Sequence, residues 1–73
     1  MSEYSVILFH STNYAIKASN VMKKNDFVHK MIPVPRHLSS DCGYCVRFST
    51  VDDVRVRELF EKTEVEFDRI EGI

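Results

Sequence analysis

Segments of strand and helix periodicity alternate along the 73 residues in the order β-α-β-β-α-β. That order predicts an α+β sandwich in which a four-stranded antiparallel sheet carries both helices on one face. Three observations support it. Apolar residues alternate or run together over strand lengths, they recur at three and four residues over helix lengths, and turn-forming residues separate nearly every pair of segments.

Tyr4 to Phe9 is almost wholly apolar and β-prone, as expected of a central strand with neighbours on both edges. Ser11 or Thr12 can then cap a helix whose apolar stripe is Tyr14, Ala15, Ala18, Val21 and Met22, with Lys17, Lys23 and Lys24 outside it. Tyr14, Val21 and Met22 are expected in the core. Lys23 and Lys24 suit the negative end of the helix dipole, and Asn25 can take the left-handed position that ends it. Phe27 to Ile32 reads as a second strand stopped by Pro33-Val34-Pro35. Two prolines so spaced cannot both sit inside a hydrogen-bonded ladder, so this strand is an edge or an exit.

Arg36 to Gly43 is polar and aperiodic, and reads as a loop. Tyr44 to Ser49 is a third strand with Tyr44, Val46 and Phe48 on one face and Cys45, Arg47 and Ser49 on the other. Thr50 and Asp53 have the spacing of a capping box and open a helix with Val56, Leu59, Phe60 and Thr63 on one stripe. Val65 to Ile70 closes as a fourth strand in which Ile70 falls out of phase with Val65 and Phe67, a mismatch that a bulge would reconcile. The expected topology is that of a ferredoxin-like domain over residues 1–73.

Composition narrows the function. Ten Lys+Arg against eleven Asp+Glu leave a net charge of -1 with the basic residues scattered, unlike a nucleic-acid binder that must displace counterions. A domain of this size buries only about 60% of the surface that its unfolded chain exposes, too little to enclose a deep pocket, so its chemistry belongs at a rim or with a partner. No apolar run reaches the roughly 20 residues that span a bilayer, and Met1-Ser2-Glu3-Tyr4 does not resemble a signal peptide, which points to the cytoplasm. Glu58, Glu61, Glu64 and Glu66 read as a solvated acidic face, and His29 as an ordinary strand residue. Ser39 and Ser40 lack a nucleophile elbow, and there is no Gly-rich phosphate loop.

The two cysteines, Cys42 and Cys45, are the most informative residues. In the expected topology the first and second strands point the same way. His10, Ser11 and Thr12 should therefore meet Arg36, His37, Ser39, Ser40, Asp41 and Cys42 at one end of the sheet. The positive end of the first helix, Arg36 and a protonated His37 would favour a Cys42 thiolate, and Asp41 would oppose it. Backbone amides around Ser39 to Gly43 could form an anion nest, and Gly43 could adopt positive φ and let a partner approach the sulfur. Extended backbone from Cys42 to Cys45 would set their Cα atoms roughly 10 Å apart, beyond the ~7 Å that a disulfide allows, so a bridge needs a turn at Gly43. Cys42 is thus assigned the chemistry. Cys45 is auxiliary, as a resolving thiol or simply a packed strand residue.

The stretch Pro33-Val34-Pro35-Arg36-His37-Leu38-Ser39-Ser40-Asp41-Cys42-Gly43, with Phe9-His10-Ser11-Thr12 after the first strand, resembles the small bacterial domain family of selenium/sulfur carrier-like proteins. The resemblance covers essentially the whole chain, and P-x-P-R-x-x-S-S-D-C-G is its most specific part. It implies a non-enzymatic carrier that holds sulfur or selenium on Cys42 as a persulfide-type or selenium adduct. The donor it implies is a protein such as a cysteine desulfurase, and the acceptor an enzyme such as one of selenophosphate synthesis. In the family pattern a small residue often stands at the place of Cys45, which makes Cys45 a departure.

Two other readings stay open on the residues alone. Cys42 and Cys45, with His10 or His37, could form a metal-binding or thiol-redox module, although closing a zinc site would need both histidines or a second chain. The chain could instead be a non-catalytic interaction domain that dimerises through its open sheet face and hides Cys45 there. Neither a cofactor nor a resident metal is expected for the carrier.

Overall fold

The computed structural model describes residues 3–38 and 43–73. Its strands are β1 (Tyr4–Leu8), β2 (His29–Pro33), β3 (Tyr44–Ser49) and β4 (Arg69–Gly72). Helix α1 (Thr12–Lys24) follows β1, and a short 3-10 turn over Thr50–Asp52 leads into helix α2 (Asp53–Thr63). The strands form one sheet in the order β2-β3-β1-β4 with every neighbouring pair antiparallel. This is the ferredoxin-like arrangement, with β1 and β3 central.

The helices cover one face. Ala15, Ala18 and Met22 of α1 and Val56 and Phe60 of α2 pack on Ile7, Phe9, Val46 and Phe48 from the sheet side, all essentially inaccessible to solvent. Val21 and Leu59 flank this core half-buried. Tyr14 is not in it, being 37% exposed in the first turn of α1. Glu58, Glu61, Glu64 and Glu66 all lie exposed, as an acidic solvated face requires.

Both helices end in the same way without glycine. Asp26, with φ of 60°, takes the left-handed position expected of Asn25, while the amides of Asp26 and Phe27 bond to the carbonyls of Lys23 and Met22. Asn25 serves instead through its side chain, whose Nδ2 donates to the Val21 carbonyl at 2.8 Å. Glu64, with φ of 57°, ends α2, and the Val65 amide returns to the Phe60 carbonyl at 2.9 Å. These are Schellman-type closures, in which the residue after the left-handed position carries an apolar side chain back onto the helix.

Three expected boundaries move. β2 begins at His29 rather than Phe27, because Phe27 is spent closing α1, and it runs on through Pro33, which pairs with Tyr44 on the edge strand. β4 begins at Arg69, so Val65 and Phe67 precede it. Val65 is buried, and Phe67 packs against Phe60 with ring centroids 5.7 Å apart. The phase mismatch with Ile70 thus reflects a later strand start rather than a bulge. Thr50 does not cap α2, since its hydroxyl bonds Ser5 Oγ at 2.8 Å and thereby satisfies a side chain that is only 3% exposed.

The opposite face of the sheet is not bare. Val6, Leu8 and Cys45 are fully buried there, packed by Ile32 and by Val34 and Leu38 from the chain leaving β2. Half of the open face is therefore roofed by the segment that leads toward Cys42.

Candidate functional site

Strand direction decides what meets at the end where β1 and β2 finish. Leu8 pairs with Cys45 on one side and Arg69 on the other, and Pro33 pairs with Tyr44. The β1–α1 turn carrying His10 and Ser11, the β2–β3 connection and the start of β4 therefore emerge together. The strand directions thus bring the two expected connections to one end, with Asp68 and Arg69 as an addition; of the residues expected there, Ser39, Ser40, Asp41 and Cys42 lie outside the described residues. Asp68 donates its amide to the Leu8 carbonyl at 2.7 Å, and its carboxylate pairs with Arg69 at 2.5 Å. Asp68 and Arg69 reach this end because β4 starts at Arg69, whereas a strand starting at Val65 would hold both in its interior.

Each side of the convergence has a local cause. Ser11 is extended, with φ of -150°, and its carbonyl accepts the Ala15 amide, so it is the N-cap of α1. Its hydroxyl makes no capping bond, and α1 has no acidic residue in its first turn. The positive end of the helix is accordingly not neutralised by its own first turn. His10 lies exposed beside it.

On the facing connection, Pro35 to Leu38 form a turn closed by the Leu38 amide on the Pro35 carbonyl at 3.0 Å, and Arg36 and His37 stand exposed at its two central positions. Val34 and Leu38, on either side of this turn, reach down onto the apolar cluster of the open face. The Val34 amide bonds to the Gly43 carbonyl at 3.1 Å, tying the two arms of the connection together next to β3.

Ser39, Ser40, Asp41 and Cys42 lie outside the described residues. Their flanks are placed: Leu38 is anchored on the sheet, and Gly43 is exposed at the start of β3. Gly43 differs from expectation. Its φ is not positive, and a Cβ built on it would meet nothing within 4 Å among the described residues. Nothing in the described structure requires left-handed backbone or the absence of a side chain at this position.

Cys45 and Cys42 occupy different settings in the sequence, and the structure defines that of Cys45. It has 0% exposure, sits between Val6, Leu8 and Ile32, and has its Sγ 3.9 Å from the Pro33 carbonyl. Burial of Cys45 is complete within a single chain, so no dimer is required to hide it. The signal available in the sequence was the pair Val34 and Leu38, two apolar residues four apart at the edges of an otherwise polar loop. Such a loop can roof a sheet at both anchors while its centre stays out.

His29, at the far end of β2, is held structurally. Its Nδ1 donates to the Phe27 carbonyl and its Nε2 meets Ser19 Oγ, both at 2.8 Å, which ties the edge strand to α1. Among the described residues no three His, Cys, Asp or Glu side chains cluster as a metal site. No helix among them is long and apolar enough to cross a membrane.

No curated protein and no solved structure matches this chain. A family profile described as "Putative Se/S carrier protein-like" does, over residues 3–71. It covers both helices, β1 to β3, all of β4 but Gly72, and the sequence between β2 and β3 that includes Cys42. With nearly the whole fold and the cysteine-bearing connection inside that match, the chain belongs to the Se/S carrier protein-like family.

Proposed function

We propose that this protein carries sulfur or selenium on Cys42. The observation that carries the reading is membership of the Se/S carrier-like family over residues 3–71, a span that includes the Cys42 loop. The fold is compatible with it. A carrier must present its sulfur to two larger proteins in turn, and in the described chain on either side of Cys42, Arg36, His37 and Gly43 are exposed while Leu38 is the anchor on the sheet.

The chemistry is thiol exchange. The Cys42 thiolate attacks the outer sulfur of a donor persulfide, such as one formed on a cysteine desulfurase. A new S–S bond forms, the donor S–S bond breaks, and the donor leaves as a thiolate with the electron pair of that bond. The outer sulfur on Cys42 is then taken by an acceptor nucleophile, which releases the Cys42 thiolate unchanged. Selenium transfer follows the same balance, with a selenium-bearing donor and an acceptor such as an enzyme of selenophosphate synthesis.

The N-terminus of α1 with Ser11, the exposed Arg36 and His37, and His10 provide the electrostatic surround that favours the thiolate, with Ser39 and Ser40 as hydrogen-bond donors and Asp41 in opposition. Cys45 has an auxiliary, packing role. No step needs an enclosed pocket, and the protein works in the cytoplasm as a partner of enzymes rather than as one.

The test is mass spectrometry of the purified protein after incubation with a cysteine desulfurase and either cysteine or selenocysteine, so that the donor is a persulfide or its selenium counterpart. A gain of one sulfur or one selenium, localised to Cys42 by proteolysis and absent from Cys42→Ser, is the expected result. Equal uptake by Cys42→Ser would sink the proposal.

A further inference from the structure

The end of the open sheet face away from Val34 and Leu38 is built differently from the end they roof. Val6 separates the two. Beyond it, Lys30 of β2 and Arg47 of β3 are directly paired across the ladder, and Arg47 also pairs with Val6, which places both cations on the open face. Like charges opposite one another on adjacent strands destabilise a sheet. Among the described residues neither cation has a carboxylate within salt-bridge distance. Arg47 instead lies over the Tyr4 ring, 4.8 Å from its centroid, a contact that orients the guanidinium without neutralising it.

Tyr4, Lys30, Arg47 and Ser49 line a cleft of about 240 Å³ together with Val28, which is 85% exposed. The cleft thus combines two cations without a salt-bridge partner among the described residues, hydroxyl groups from Tyr4 and Ser49, and an apolar edge, and the one carboxylate in the same cross-sheet row, Glu71, stands beyond Val6. We infer that it docks an acidic segment of a partner protein whose carboxylates bridge Lys30 and Arg47 while an apolar side chain rests on Val28.

A second copy of this chain fits the surface poorly. A two-fold axis through the cleft would oppose Lys30 and Arg47 to themselves, and one displaced toward Val6 would offer the two cations only the single carboxylate of Glu71, which pairs with Val6 on the same face. The apolar residues that could drive face-to-face pairing, Val6, Leu8 and Cys45, are already fully buried within one chain. What remains exposed is charge, and charge selects an oppositely charged partner and speeds its encounter. The inference uses none of the residues assigned to chalcogen transfer, so it stands or falls separately from that reading.

The experiment is an amide chemical-shift titration of the isotope-labelled protein with a deca-glutamate peptide carrying one central leucine. Saturable shifts at Tyr4, Lys30, Arg47 and Ser49 are expected, together with about tenfold weaker binding to the folded Lys30→Gln/Arg47→Gln variant, roughly threefold for each of the two lost surface charge contacts. The reversed variant, Lys30→Glu/Arg47→Glu, should lose the glutamate peptide and gain a lysine-rich one. Shifts confined to the lysines of α1, or no saturable shifts, would overturn the inference. So would equally tight saturation of the cleft by inorganic phosphate, cleft-dependent binding to phosphatidylserine vesicles, or concentration-dependent dimerisation through these residues.

Discussion

Replacing Cys45 by serine and by alanine separates a packing role from a polar or reactive one. Cys45 has no exposed surface and is enclosed by Val6, Leu8, Ile32, Val34 and Leu38, with the Pro33 carbonyl 3.9 Å from its sulfur. Alanine removes one buried heavy atom, comparable to a methylene, and should cost about 1 kcal/mol. Serine loses the same apolar atom and introduces a hydroxyl. Its oxygen sits closer to Cβ than sulfur does, so the carbonyl that is already at the limit for sulfur falls beyond the ~3.2 Å reach of an O–H bond. Burying a hydroxyl in place of the weakly polar thiol, out of reach of the Pro33 carbonyl, adds about 1–3 kcal/mol of desolvation, giving about 3 kcal/mol for serine.

For a domain of this size each kcal/mol moves the melting midpoint by about 4–8 °C. Alanine should therefore lower Tm by about 6 °C and serine by roughly 15–20 °C. The measurement is urea and thermal unfolding of both variants on a Cys42→Ala background, which keeps thiol exchange out of the comparison. Serine as stable as alanine would show that position 45 is polar or wet, and the account of the roofed face would be wrong.

Three further outcomes follow from the same packing. Thr50→Val leaves the buried Ser5 hydroxyl without its 2.8 Å partner and should cost about 1–3 kcal/mol, whereas adding Ser5→Ala should restore most of that loss, as read from a double-mutant unfolding cycle. Glu64→Gly relieves a side-chain-bearing residue at φ of 57° and should raise stability by up to about 1 kcal/mol in urea unfolding, with no change if the left-handed cap is absent. Phe60→Ala opens the helix-side core beneath Phe67 and should cost about 3–5 kcal/mol, enough to leave so small a domain largely unfolded at 37 °C by circular dichroism.

Much of this molecule is legible in local pattern. The apolar run from Val6 to Phe9, the alternation of Val46 and Phe48 with Cys45 and Arg47, and the stripes through Ala15, Ala18 and Met22 and through Val56 and Phe60 announce their elements and faces. Burial is what those periods encode. Element ends were less legible, because they depend on which residue surrenders its amide to which carbonyl. Phe27 closes α1 instead of opening β2, Asp26 rather than Asn25 turns left-handed, and Thr50 satisfies Ser5 across 45 positions rather than capping its own helix.

The candidate site divides along the same line. Its residue types and their meeting at one end of the sheet follow from the sequence, since β-α-β-β-α-β order and antiparallel pairing dictate which loops emerge together, and the P-x-P-R-x-x-S-S-D-C-G stretch marks the family. Tertiary structure alone decided the rest. The chain leaving β2 folds Val34 and Leu38 over the open face and buries Cys45, Asp68 and Arg69 join the site end, and Lys30 faces Arg47 with no carboxylate beside either among the described residues. Such contacts join residues far apart in the chain, and periodicity records only which face a side chain takes, not what will cover it.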